Sequence, residues 1–353
     1  MEKGLISNAQ DLLGARQPGH MRPFIDENGN SFILVHKGKG DRADINNYVQ
    51  QPVNNATLRY DEWRQLDDAV TKLSEERLVG FDDLRSRGLV YTLGNAMGTT
   101  VLTWEEISDA MEAAISIDPV ARAKGDLPTH STSHIPIPVV HSDYIISERV
   151  LQESRSRGNP ISVSGAERAT RKVNQKLEDM LFGATASLTY GGGAIHSYLS
   201  HPDKNTISFA SAGEYWDASG KTAAQIVADV RAMKASSKAA FHYGPWVLYI
   251  PSDYDDILDG DYDVAGDSLM TIRDRILRID GITKIQVVDR LAADTCILVQ
   301  LTSDVVDLVD GMAIQNVQWD SEGGFVHNYK VMTIQVPRIK SDYAGNSGVV
   351  VLS

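Results

Sequence analysis

Residues 161–183, ISVSGAERATRKVNQKLEDMLFG, carry the clearest long helix signal in the chain and constrain what can surround it. Ser164 followed three residues later by Glu167 predicts a capping box, and Gly183 stands where a left-handed residue is expected after the last turn. Between them Ala166, Ala169, Val173, Leu177, Met180 and Leu181 recur at helical spacing, while Glu167, Arg168, Arg171, Lys172, Lys176 and Glu178 are assigned to the opposite face. A helix over 164–182 is a rod of about 28 Å. One side must lie on a sheet; the other meets solvent or a second subunit.

A chain of 353 residues can bury a large core and predicts two or three domains. Its single cysteine, Cys296, lies in the apolar run TCILVQL, so an intrachain disulfide is excluded and a buried thiol in a reducing compartment is expected. No apolar run reaches the length of a membrane span, and MEKGLISNAQDLLG lacks the apolar centre of a signal peptide. The reading is therefore of a soluble protein. A formal net charge of −13 argues against a dedicated reader of DNA or RNA.

Residues 1–55 read as an arm, with one short strand at SFILV (31–35) after the turn DENGN. A second amphipathic helix is predicted over YDEWRQLDDAVTKLSEERLVG (60–80), with Trp63, Leu66, Ala69, Val70, Leu73, Arg77 and Leu78 at helical spacing and Gly80 as its stop. After a turn over 83–91 the periodicity is ambiguous: 105–117 suits a helix, yet TTVLTW starts as a strand, and a long β-hairpin is equally allowed. Residues 89–139 supply no core of their own and read as an excursion from the body. A short strand and short helix in VHSDYIISERVLQESRSRG lead into the long helix, and a third helix is predicted over 221–240. From Trp246 the texture is strand, loop, helix, strand: WVLYIP, SLMTIRDRILRI, KIQVVD, TCILVQL and YKVMTIQVP. The tail RIKSDYAGNSGVVVLS is expected to return to the first body as a last strand.

No stretch assembles a recognisable catalytic, cofactor or metal site. The three glycines at 191–193 lack the lysine and serine or threonine of a phosphate loop, and loop flexibility explains them better. His130, His134 and His141 lie in THSTSHIPIPVVHSD, where Pro136 and Pro138 forbid the helix that would converge two of them on zinc, so they are expected in an exposed loop. In DYDDILDGDYD a calcium loop counted from Asp259 would need glycine and glutamate where Val264 and Met270 stand. A solvated turn is the expectation there. No nucleophile elbow is present, and Cys296 sits where a reactive thiolate is implausible.

Several stretches together resemble the Hong Kong 97-type fold of tailed-phage major capsid proteins and encapsulin shells, in its encapsulin-like branch. LRYDEWRQLDDAVTKLSEERLVG resembles the helix before the extended loop, with Trp63, Asp67, Leu78 and Gly80 at the matching places. IPIPVVHSDYIISERVLQESRSRGNPIS and AERATRKVNQKLEDMLFGA resemble that branch's proline-to-aspartate-aromatic segment, its arginine-glycine turn and its spine helix. The likeness covers 56–353.

The resemblance implies an α+β capsid subunit with an N-terminal arm (1–55), a helix (56–88) leading into an extended β-hairpin loop (89–139), and a peripheral domain (140–245) with spine helix 164–182. It further implies an axial domain (246–337) and a C-terminal strand (338–353) returning to the peripheral domain. The implied partner is the chain itself, in hexamers and pentamers of an icosahedral shell around double-stranded DNA, with portal, scaffold and decoration proteins as further partners. The implied location is the virion capsid, assembled in the host cytoplasm. Encapsulins are shorter and lack so long an arm, which favours the phage branch; an encapsulin-type compartment and a soluble metal-dependent enzyme are the alternatives. Some relatives join subunits through a lysine–asparagine isopeptide bond, but no local motif supports pairing Lys124 with Asn328 or Asn346.

Overall fold

The computed structural model describes residues 79–108, 115, 127–157, 163–186, 188–209, 215–262 and 270–353, with 24–25, 31–36, 48–52, 65, 66 and 68 from the N-terminal part. In the arm, β1 (Phe24–Ile25), β2 (Ser31–His36) and β3 (Tyr48–Pro52) form an antiparallel sheet in that order. The expected single strand is β2. Its two partners were too short, and too interrupted by polar residues, to show a period of their own.

Most of the predicted second helix lies outside the described residues, but Gln65, Leu66 and Asp68 are helical and Leu66 is fully buried. Gly80 is not a stop. It lies inside α1 (Val79–Ser86), where an added Cβ would stand 2.4 Å from a Leu181 methyl and 2.7 Å from the Phe182 ring. Glycine is there because the end of the long helix presses on α1, and the apparent stop signal was a packing requirement. A turn with Gly88 at φ 71° then leads to β4 (Val90–Thr92).

β5 (Val101–Ile107) and β6 (His130–Pro136) pair antiparallel, Val101 opposite Pro136 and Ile107 opposite His130. The ambiguous stretch through Ile107 is thus strand, while 109–114 and 116–126 lie outside the described residues. β7 (Val140–Ser147) and α2 (Glu148–Arg157) follow, and then the long helix α3 (Ser164–Phe182).

The six apolar positions predicted for the inner face of α3 are all buried, along with Thr170, Asn174 and Phe182. Three details differ. The residue before the helix is Val163 and makes no side-chain capping bond, so the expected Ser164 cap is displaced by one position. Gly183 is extended (φ −65°, ψ 150°) rather than left-handed, and a Cβ there would lie 2.4 Å from the Asp179 carbonyl oxygen that its own N–H reaches at 2.9 Å. Glu178, assigned to the charged face, is only 6% exposed.

Beyond α3 come β8 (Thr189–Tyr190), β9 (Gly193–Ala194), β10 (Asn205–Ile207) and α4 (Ala223–Ala239), the predicted third helix. Thr222 and Gln225 close a capping box on α4 in both directions, at 2.8 Å and 3.3 Å. The remaining elements are β11 (Trp246–Ile250), α5 (Asp255–Leu258), α6 (Ile272–Leu277), β12 (Ile282–Val287), β13 (Cys296–Gln300), β14 (Val306–Ser321), β15 (Val326–Ile339) and β16 (Val349–Leu352).

Two sheets organise the body. One, in the order β10-β16-β13-β11-β12, is mixed, with β10 parallel to β16 and β12 parallel to β11. The other, in the order β4-β14-β15-β7, supports α3 across β7 and β15. β11, β13 and β16 are buried at every residue, as strands covered on both faces should be. Their side chains alternate. Val247, Tyr249, Ile297, Val299, Val349 and Val351 face the core built on α3, whereas Trp246, Leu248, Ile250, Cys296, Leu298, Val350 and Leu352 face a second core with α4 and α6.

Two boundaries drawn from sequence change accordingly. The β14–β15 hairpin, expected inside the axial segment 246–337, pairs with β7 and so belongs to the sheet beneath α3. The tail strand β16, expected to return to the peripheral segment 140–245, pairs with β10 from that segment and with β13 from the axial one, in the mixed sheet. β14 itself escaped detection, because Asp307, Asp310, Gln315 and Asn316 break its apolar pattern although all but Asp310 are buried.

Candidate assembly surfaces

The feature of the molecule least able to stand alone is the β5–β6 hairpin. Among the described residues its strands pair only with each other, and a lone two-stranded ribbon is marginal in water. Its root is anchored by buried Ile135 and Ile137, with Leu102 and Trp104 against the core. Farther out Ile107 is 58% exposed and Leu127 84% exposed. Apolar surface so far from any core is a candidate contact surface.

The root is held by an aromatic and ionic clamp. The Arg338 guanidinium lies between the rings of Tyr91 and Trp104, at 5.0 Å and 5.3 Å from their centroids. It also grips Asp307 with two hydrogen bonds, Nε donating at 2.8 Å, and Lys340 reaches the same carboxylate at 2.7 Å. Arg338 comes from β15, Tyr91 from β4 and Trp104 from β5, so the clamp ties the hairpin to the sheet beneath α3.

A second support is the β8–β9 turn. Gly191 and Gly192 take positive φ of 61° and 84°, the requirement of a two-residue type I′ hairpin. At Gly193 a Cβ would sit 2.1 Å from the His134 carbonyl oxygen, and at Gly191 2.6 Å from a Val101 methyl. The three glycines let this small hairpin press its backbone onto β5 and β6. They serve close approach, not the loop flexibility expected from sequence.

Polar bolts join α1 to the rest. Glu178 accepts the Gly80 N–H at 3.3 Å, so a carboxylate from α3 serves the first turn of α1. Burial, opposed by backbone hydrogen bonds from Gly80 and Val79, pushes its pKa up to about 7. Asp83, also buried, accepts from the Tyr249 hydroxyl at 3.1 Å and from Lys284 at 2.7 Å.

The residues weighed from sequence are not brought together. His130, His134 and His141 lie on strands β6 and β7, not in a loop, beside Glu105 at 3.6 Å, Thr103 at 3.1 Å and Asp143 at 3.5 Å respectively. In the acidic run, Arg273 is seated between Asp255 and Asp259, its Nε donating to Asp259 at 2.7 Å. Burial pushes the Cys296 thiol well above its usual pKa, consistent with a core residue. Asn328 donates to Ser321 at 2.8 Å and Asn346 to Asp342 at 2.7 Å; Lys124 lies outside the described residues. Among the described residues no group of three or more potential ligands could hold a metal ion, and no helix is long and apolar enough to cross a membrane.

Sequence reading missed two buried charged clusters. Lys221 pairs with Asp229 at 2.8 Å, with both side chains almost wholly buried, and Trp216 donates to the same carboxylate at 3.0 Å. His327, 1% exposed, lies between Asp320 and Glu148. A lysine just before a helix cap and a histidine in a strand carry no local mark of such partners.

Residues 54–352 match the model of a family of unknown function, DUF6260. The chain belongs to that family. This DUF6260 chain is also 23% identical over 240 residues to the type 1 encapsulin shell protein EncA of Myxococcus xanthus, spanning 67% of the chain and 71% of that protein. Among solved structures it is similar to the virus-like particle protein from Pyrococcus furiosus, with TM-score 0.58, 17% identity, and coverage of 83% of this chain and 99% of that one. The capsid protein of Myoviridae phage XM1 gives 0.59 with 11% identity over 77% and 91%. The capsid protein of a native GTA particle gives 0.55 with 13% identity over 86% and 94%. The DUF6260 chain therefore has the α+β Hong Kong 97-type fold shared by these proteins.

Proposed function

We propose that this protein is a major capsid protein, self-assembling through hexamers and pentamers into an icosahedral shell around the double-stranded DNA of a tailed phage. The observation that carries the reading is the β5–β6 hairpin: anchored at its root, exposing Ile107 and Leu127 farther out, on a fold shared with three shell proteins. Such a segment is costly in chain entropy until a partner covers it, and heterologous contacts that close into rings are how one chain builds a shell.

In this reading the hairpin lies over a neighbouring copy and the sheet beneath α3 forms the peripheral body. The mixed sheet with α4 and α6 forms the axial body, now including β16. The arm reaches an adjacent subunit, and portal, scaffold and decoration proteins complete the particle. The work is mechanical, with no catalytic step, and a net charge of −13 suits a wall that confines DNA without gripping its phosphates. The likeness to an encapsulin shell protein supports a second reading, a smaller compartment around protein cargo.

Electron microscopy of the purified chain tests the proposal. Closed particles, with or without scaffold, are expected; a monodisperse monomer at high concentration under all conditions overturns it. Replacing residues 106–131 by Asn-Gly, which closes β5 onto β6 at the Glu105–Thr132 pair, is expected to leave a folded body that forms no stable shell. Small closed particles carrying protein and no DNA would favour the compartment.

A further inference from the structure

His327 is the second residue of β15, at the tip of the long hairpin, and is buried between two carboxylates from different elements. Its Nδ1 is 2.8 Å from Asp320 Oδ1 on β14, and its Nε2 is 2.7 Å from Glu148 Oε2 on α2. Both contacts have hydrogen-bond geometry. A neutral imidazole carries one N–H, whereas an ionised carboxylate only accepts, so both bonds exist together when the ring carries both protons. Gln152 donates to the second Glu148 oxygen at 2.5 Å, Gln318 donates to Asp320 at 3.2 Å, and Arg155 adds positive charge from α2. Opposite His327 on β7 stands Ile146, an apolar residue. Burial raises the pKa of Glu148, but the bonds from Gln152 and His327 and the charges of His327 and Arg155 outweigh it and hold the group below its usual range.

The bridge spans three elements at one place. Beside it the backbone is tied once more, where Glu148 N–H donates to the Phe325 carbonyl at 3.0 Å. The tip that it fastens presents Phe325, 72% exposed, and Trp319, 42% exposed. Losing one proton from the buried ring would set a nitrogen lone pair against a carboxylate oxygen at less than 3 Å, which is repulsive and leaves one of the two bonds unmade.

We propose that His327 is a proton-dependent latch: doubly protonated it fastens the tip of the β14–β15 hairpin to α2, and on losing one proton it releases the tip. The site belongs to a single chain, so the latch operates whether or not the chain assembles. It gives the protein a way to change the position of two exposed aromatic side chains with pH, in the range where histidine switches work.

Amide hydrogen exchange by mass spectrometry on the full-length chain tests this, with protection corrected for the intrinsic pH dependence of exchange. As pH rises across the general histidine range, about pH 5 to about pH 8, protection over residues 319–328 is expected to fall by roughly tenfold or more, while β13 stays unchanged. His327→Gln should show low, pH-independent protection at the tip. Glu148→Gln and Asp320→Asn each remove one carboxylate and should move the fall to lower pH, and these carry the test if the His327 variant does not fold. Tip protection that stays flat in the wild type, or falls identically in wild type and variants, overturns the latch.

Discussion

Glu178 of α3 accepts the backbone N–H of Gly80 in α1, so the long helix caps a helix that lies 98 positions earlier in the chain. The pairing places a carboxylate in the core. In the unfolded chain that group loses its proton near 4.5, in the folded chain near 7. Between those values the folded state alone holds the proton, so this group's contribution to stability falls as pH rises through the window and stays low above it. Glu178→Gln keeps the acceptor oxygen and removes the ionisation. At about pH 8 the variant should be more stable than the wild type by up to about 3 kcal/mol, with no such gain below about pH 4.5. Thermal unfolding at both pH values checks it; a variant less stable at pH 8 would show that the ionised form is the one favoured there.

His201 gives the opposite trend. It is buried, and burial, only partly offset by the charge of Asp203, lowers its pKa from 6.5 to about 4. The unfolded chain takes up a proton on this residue that the folded chain refuses, so stability falls as pH drops from about 6.5 toward 4. His201→Asn should flatten the acid side of the stability profile, measured on the same chain as the Glu178 variant. An unchanged acid limb would exclude His201 as its source.

Arg338 is expected to control how the β5–β6 hairpin leaves the body. Arg338→Met removes the cation between Tyr91 and Trp104 and leaves Asp307 with Lys340, which should cost about 1.5–3 kcal/mol of stability. Trp104→Ala should cost less globally yet speed hydrogen exchange in β5 and β6 selectively. If both variants exchange like the wild type there, the clamp does not position the hairpin.

The glycines at the clasp separate two physical effects. Gly192→Ala meets only the His134 ring at 3.8 Å, so its penalty comes from positive φ alone, about 1–2 kcal/mol. Gly193→Ala would drive a methyl carbon to 2.1 Å from a backbone oxygen and must push β9 off β6. Gly193→Ala should therefore be the more damaging of the two by denaturant unfolding, and equal penalties would mean the clasp yields freely.

Lys221 and Asp229 form a buried pair whose members depend on one another. Lys221→Met leaves the Asp229 carboxylate buried beside Trp216, and a loss of about 3–5 kcal/mol is expected. Adding Asp229→Asn to that variant should restore part of the loss, and strict additivity in the double-mutant cycle would deny the coupling.

Where sequence reading succeeded, the signal was periodic and local. The inner face of α3, the helix α4 and the largely apolar strands β11 and β13 need only their own residues to be recognised. It failed where a residue answers to something remote in the chain. Gly80 looked like a stop because its neighbour, Phe182, is about a hundred positions away; β14 went unnoticed because the partner of Asp307, Arg338, is on the next strand. The hairpin was legible as a segment with no core, but the clamp at its root was not, since Tyr91, Trp104 and Arg338 meet only after the sheet is built.

The three central strands of the mixed sheet send alternate side chains into two different cores. They act as a party wall: neither half of the subunit can tilt without dragging the other's packing along. A rigid block of that sort adapts to different curvatures only at its appendages, so any flexing needed to fit unequal surroundings is left to the long ribbon at its edge.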